Sequence, residues 1–160
     1  MTRLIAACAF ILTWGILLSG PASAGSDLVH ATSFKADARM AVQRKAPVLV
    51  LFSSPTCHYC EQVKRVYLVP MHKDPAYRNR VIIREVTVGS SAPITDFDGS
   101  ATTEGAFAAF NKVYMVPTVM VFGARGNEIG EPIVGLLIAD FYFGYLEAAI
   151  EEATRKIRGS

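Results

Sequence analysis

Val48-Leu49-Val50-Leu51-Phe52-Ser53-Ser54-Pro55-Thr56-Cys57-His58-Tyr59-Cys60 is the stretch from which the fold can be read. Five consecutive apolar residues after Pro47 have the pattern of a strand covered on both faces, as in the middle of an α/β sheet. Ser53 to Thr56 is a polar loop. A helix is expected from Cys57 through Val63 and Val66 to about Val69, with Pro70 stopping it. This order sets Cys57 where unpaired backbone N–H groups and the positive end of the helix dipole favour a thiolate. Cys60, one turn further in, is expected to be covered and to act as the resolving thiol.

A C-x-x-C pair can be half of a zinc site, a haem attachment or a redox couple. Residue 61 is Glu61, not the histidine a haem attachment requires. Zinc needs two further ligands, and the chain supplies only His30, His58 and His72 with no second cysteine pair. His58, lying between the cysteines, is badly placed to complete a tetrahedron with them. The redox reading fits the strand before the pair and the helix after it. On that reading His58 adds positive charge or a hydrogen bond beside the Cys57 sulfur, and Tyr59 supplies an aromatic wall. Without a role, both are simply exposed at a helix tip.

The chain has 160 residues, 51% hydrophobic and 19% charged, enough for one domain with a real core. Arg3, the apolar run Leu4 to Leu18, the break at Ser19-Gly20-Pro21 and the small residues Ala22-Ser23-Ala24 follow the order of a secretory signal peptide. Cleavage is expected after Ala24, giving a signal over residues 1–24 and a domain over 25–160. An uncleaved anchor is the alternative, although the run is shorter than the ~20 residues that span a bilayer comfortably. Cys8 leaves with the signal, so the mature chain keeps only Cys57 and Cys60. The net charge of +2 falls to about +1 without Arg3 and carries no nucleic-acid footprint. The basic residues Lys35, Arg39, Arg44 and Lys45 read as a solvated helix face.

Outward from the motif, Ser33 can cap a helix over Phe34–Lys45, with Phe34, Ala38, Ala41 and Val42 on its buried face. Val81–Val88 is a second strand and Gly89–Thr102 a long surface loop. Thr103–Val113 fits a helix that buries Phe107, Ala108 and Phe110. Pro117–Phe122 is a third strand, Gly123–Asn127 a hairpin turn and Glu128–Val134 a returning edge strand. An amphipathic helix from about Asp140 to Ile157 closes the domain. The order α-β-α-β-α-β-β-α implies an α/β fold, a mixed four-stranded sheet flanked by helices.

Two segments together resemble the thioredoxin superfamily over essentially the whole mature chain. Val48–Cys60 looks like its central strand and active-site loop. Val113-Tyr114-Met115-Val116-Pro117-Thr118-Val119-Met120-Val121-Phe122 looks like its second signature. The resemblance implies a thioredoxin-like fold, a cis bond before Pro117 facing the cysteines, and a Val116 backbone offered to a substrate strand. Gly126 and Gly135 fit the closing hairpin. The export signal and the long loop resemble bacterial periplasmic thioredoxin-like proteins more than cytosolic ones. Three departures stand out. Thr56 replaces the tryptophan usual before the first cysteine, Leu51 aligns with the usual buried aspartate, and His58-Tyr59 replaces Gly-Pro. Glu85 and Glu61 are candidates to stand in for the missing acid, although each reads as an exposed structural residue.

The expected activity is thiol–disulfide exchange in the periplasm, needing neither cofactor nor metal. Cys57 attacks a substrate disulfide and Cys60 resolves the intermediate. The expected partners are protein disulfides or thiols, with a membrane electron donor feeding a reductase, no nucleic acid, and a monomeric state. Two other readings remain at this point: a protein-binding module without exchange activity, and a copper chaperone that grips Cu(I) between the thiolates.

Overall fold

Every residue of Val48–Ser53 is buried, and this strand (β1) is the axis of the architecture. The computed structural model describes residues 28–136 and 138–159. The expected signal over residues 1–24 lies outside them, as does the start of the domain at residue 25. Because side chains alternate across a strand, β1 feeds two cores. Leu49 and Leu51 enter one with Val63, Leu68, Leu146 and Ile150, while Val48, Val50 and Phe52 enter the other with Phe34, Phe107 and Phe122. Each large side chain so buried stabilises the fold by about 1.5–3 kcal/mol.

The sheet has the order β2-β1-β5-β6, with β2 Ile82–Thr87, β5 Thr118–Phe122 and β6 Ile133–Val134. β2 runs parallel to β1, β5 antiparallel to it, and β6 antiparallel to β5. Helices α1 (Phe34–Arg44) and α4 (Glu104–Phe110) supply side chains to one core. The segment from α2 (His58–Val63) to α3 (Val69–Lys73) and the long α5 (Ala139–Arg158) supply the other. This is the expected α/β arrangement, a thioredoxin-like fold built on a mixed four-stranded sheet.

Several local expectations need correction. Pro70 does not end its helix. Residues Lys64–Leu68 form a π-helical turn in which Val69 N–H reaches Lys64 C=O, and α3 then carries Pro70 in its first turn. A proline in an unbroken α-helix clashes with the carbonyl four residues back; the wider turn moves Pro70 to a helix start, where its missing N–H costs nothing. Val42 is 66% exposed, because it lies about 100° round the helix from Ala41. The buried stripe takes Asp37 instead. Arg84 grips that carboxylate with Nε at 3.1 Å and Nη2 at 2.6 Å. Burial pushes the Asp37 carboxyl above the usual range, and the Arg84 charge opposes that rise.

The stretch 89–102 is not a bare loop. Strand β3 (Pro93–Thr95) lies in it and pairs antiparallel with β4 (Ala101–Thr103), which runs one residue past its end; the turn between them drops Phe97 between Phe34 and Phe122. Phe110 is exposed, and Val113 is buried in its place. Lys112 adopts a left-handed backbone, which lets Val113 N–H return to Ala108 C=O at 3.0 Å. The expected edge strand over 128–134 is broken. Glu128 bridges Phe122 and Ile129 N–H donates to Val121 C=O at 2.8 Å, but the pairing then lapses until Ile133 and Val134, since Gly130 turns left-handed and Pro132 has no N–H to give.

Candidate active site

Cys57 caps α2, the position to which the β1 loop delivers it. Its backbone is extended, and its sulfur accepts the N–H of Cys60 at 3.1 Å. The two cysteines are joined as a disulfide. Cys57 is half-buried whereas Cys60 is fully buried, so only one sulfur of the pair is open to attack from outside. A donor aimed at the Cys57 sulfur, together with the helix start, favours its charged form once the bond is reduced.

Register sets the opposite wall. Phe52 pairs with Thr118, so Pro117 lies at the end of β1 from which the cysteine loop departs. The Val116–Pro117 bond is cis. Pro117 C=O accepts Gly135 N–H at 2.7 Å, and Thr118 Oγ1 donates to Met115 C=O at 2.8 Å, which pins this corner from both sides. Val116 is half-buried, while Tyr114 and Met115 beside it are exposed. His58 and Tyr59 are both exposed and meet each other edge-on at 5.9 Å between ring centres. No hydrogen bond joins His58 to the Cys57 sulfur. The principal cavities among the described residues do not include either cysteine. One of them, about 540 Å³, is lined by Val29, Met40, Arg44 and Arg84.

One helical turn beyond Cys60 begins a buried charged network that sequence reasoning largely missed. Glu85 is 3% exposed and stands opposite Leu51 in the β1–β2 register. This overturns its reading as an exposed residue. Ser53 Oγ donates to Glu85 Oε1 at 2.7 Å, and Lys64 Nζ donates to Oε1 at 3.2 Å and to Oε2 at 3.4 Å. Lys64 lies one helical turn beyond Cys60, its N–H bonded to Cys60 C=O, and its ammonium also pairs with the half-exposed Glu61 at 2.8 Å. Burial pulls the Lys64 pKa down, but the bonds and charges of Glu61 and Glu85 outweigh this and leave it above the usual lysine value. His30 stands on the outer edge of β2, with Nε2 3.7 Å from Glu85 and Nδ1 3.4 Å from the buried Glu104. The visible signal was the charged pair Arg84-Glu85 within a mainly apolar strand; Lys64, His30 and Glu104 carried none.

Residues 34–150 match the thioredoxin-like domain family. Among solved structures the chain is similar to oxidised mitochondrial thioredoxin 3 from Saccharomyces cerevisiae, with 19% identity, 78% of this chain and 93% of that one covered, and a TM-score of 0.49. It is similar to oxidised thioredoxin O2 from Arabidopsis thaliana, with 18% identity, coverage of 79% and 93%, and a TM-score of 0.48. A thioredoxin-fold protein from Helicobacter pylori shares 16% identity, with coverage of 79% and 92% and a TM-score of 0.47. No curated protein matches the sequence. The family match covers well over half of the chain and takes in β1, the cysteine pair and the Pro117 corner, and on that ground the chain belongs to the thioredoxin-like domain family.

Proposed function

We propose that the protein is an exported thiol–disulfide oxidoreductase of the bacterial periplasm that reduces disulfides of envelope proteins. Thioredoxin-like architecture with a Cys57–Cys60 disulfide supports thiol–disulfide chemistry at the level of the family. The observation that carries the reading is the asymmetry of the pair, a half-buried Cys57 at a helix start bonded to a fully buried Cys60. Export rests on Arg3, the apolar run to Leu18 and the Ala22-Ser23-Ala24 site.

In the reducing direction the Cys57 thiolate attacks a substrate disulfide and forms a mixed disulfide lying against Val116 and Pro117. Cys60 then attacks the Cys57 sulfur and frees the reduced substrate. Glu85 takes the place of the acid absent at Leu51 and receives the Cys60 proton, while Lys64 holds Glu85 by direct ion pairing. A membrane electron donor re-reduces the pair. His58 and Tyr59, exposed beside Cys57, border the incoming substrate.

Reduction of insulin disulfides tests the chemistry: activity is expected in the native protein and lost in Cys57→Ser. Activity that persists in that variant would sink the reading in favour of a binding role. Redox titration tests the direction. A potential of about −270 mV supports a reductase, and one of about −120 mV overturns it in favour of an oxidant.

A further inference from the structure

We propose that His30 is the outlet of a proton path serving Cys60, with Glu85 as its inner station and Glu104 as the group that orients it. The inference rests on the exchange reading above and adds to it a positioning residue on a different part of the chain.

Glu85 is sealed from solvent, so a proton it receives during turnover needs a way out. On one side it meets Ser53 and Lys64, both buried and both donors. Neither can take a proton from it, because a lysine held above its usual pKa is already protonated and a serine hydroxyl is not a base at neutral pH. Among the described residues, His30 is the other titratable side chain paired with it. Its side chain is 54% exposed, and its Nε2 lies 3.7 Å from Glu85 Oε2.

The backbone holds His30 there. Glu85 N–H donates to Val29 C=O at 3.0 Å, and Ala31 N–H donates to Glu85 C=O at 2.8 Å, so the segment lies as a parallel bridge along β2. Leu28 and Ala31, both buried, anchor it in the two separate cores. Glu104, at the start of α4 and 4% exposed, comes within 3.4 Å of Nδ1. The ring therefore has a carboxylate at each nitrogen, Glu104 at Nδ1 and Glu85 at Nε2, so it is held in place from one side while its other nitrogen faces the inner station of the path. The charged groups facing His30 among the described residues are therefore Glu85 from β2 and Glu104 from α4, with Lys64 and Glu61 behind Glu85.

The steps balance. The Cys57 thiolate bonds to one substrate sulfur and expels the first substrate thiolate. The Cys60 thiol gives its proton to Glu85 as its sulfur bonds to Cys57. The bond between Cys57 and substrate breaks, and its electron pair leaves on the second substrate thiolate. Glu85 passes the proton to His30 Nε2, and the imidazolium releases it to water. The cysteine pair is oxidised by two electrons and the substrate disulfide is reduced by two. One proton is released.

The test is a single turnover of reduced protein with an aromatic disulfide whose thiolate is coloured, releasing one thiolate at the Cys57 attack and one at the Cys60 step. His30→Gln keeps an amide for Glu104 but carries no proton. Its first phase should match that of the native protein, and its second should slow on the order of tenfold to a hundredfold. Added imidazole should restore the second phase, and an equal ionic strength of sodium chloride should not. An unchanged second phase, or a slow one that imidazole fails to restore, overturns the proposal. If His30→Gln does not fold, Glu104→Gln carries the same measurement, with a slower second phase expected and an unchanged one decisive against. Native protein that shows no second release fails the exchange reading itself, a different result from a normal native turnover unaffected by His30.

Discussion

Lys64 Nζ lies 3.2 Å from Glu85 Oε1, a buried ion pair between the helix that begins after Cys57 and the strand beside β1. Taking two charges out of water is costly, and their attraction offsets that cost only while both are present. The pair thus links the stability of the fold to the position of the cysteine helix.

Glu85→Leu alone should lower the unfolding free energy by about 3–5 kcal/mol, because it leaves the Lys64 ammonium buried with only the half-exposed Glu61. Lys64→Met alone should cost a similar amount. The double variant should recover most of the loss. Urea denaturation of all four proteins checks this, and strictly additive losses would show that the two side chains do not act as a pair.

The raised pKa of Lys64 sets a pH window. A lysine held above its ordinary value of 10.5 in the folded state contributes stability that is fully present below about pH 10.5 and lost as pH rises through the folded pKa. Native protein and Lys64→Met should therefore differ most in stability at neutral pH and converge at strongly alkaline pH. Thermal melts across that range test it, and a gap that widens with alkalinity would contradict the assignment.

Tyr142 is 1% exposed, and its hydroxyl finds no partner among the described residues. Burial holds its pKa far above the usual phenol value. Tyr142→Phe removes an unsatisfied polar group while keeping the ring that meets Tyr67 at 5.0 Å. Stability should be unchanged or higher by about 1 kcal/mol. A loss of 2 kcal/mol or more, roughly the cost of an orphaned partner, would reveal a hydrogen bond to this hydroxyl.

Gly126 and Gly135 separate strain from crowding. Both have left-handed backbones, with φ of 77° and 74°. A Cβ at Gly126 would stand 3.0 Å from the Phe97 side chain, whereas at Gly135 it would meet nothing within 4 Å. Gly135→Ala should cost about 1–2 kcal/mol from backbone strain alone, and Gly126→Ala more. Equal losses would mean that Phe97 yields freely.

Much of this fold could be read locally. Val48 to Phe52 announces a strand covered on both faces, and Ser33 caps α1 through a hydrogen bond to Ala36 N–H. Elements failed where the deciding contact lay elsewhere in the chain. The hairpin of β3 and β4 depends on Phe97 finding Phe34 and Phe122, and the exposure of Phe110 depends on the left-handed turn at Lys112. At Pro70 the signal for a stop is local, whereas the π turn that accommodates the proline is held by packing of Leu68, Val69 and Met71 in the core.

By itself the sequence determined the cysteine pair, its place after a buried strand and at a helix start, and the α/β order of elements. Those signals are carried by hydropathy period and by neighbouring residues, which a linear chain displays in full. Only the tertiary structure decided which charges gather one helical turn beyond Cys60. The register that sets Leu51 beside Glu85 joins residues 34 positions apart, and the His30–Glu104 contact joins residues 74 apart. Whether an acid in a strand faces water or Lys64 depends on strand pairing and helix docking, neither of which is written in any local stretch.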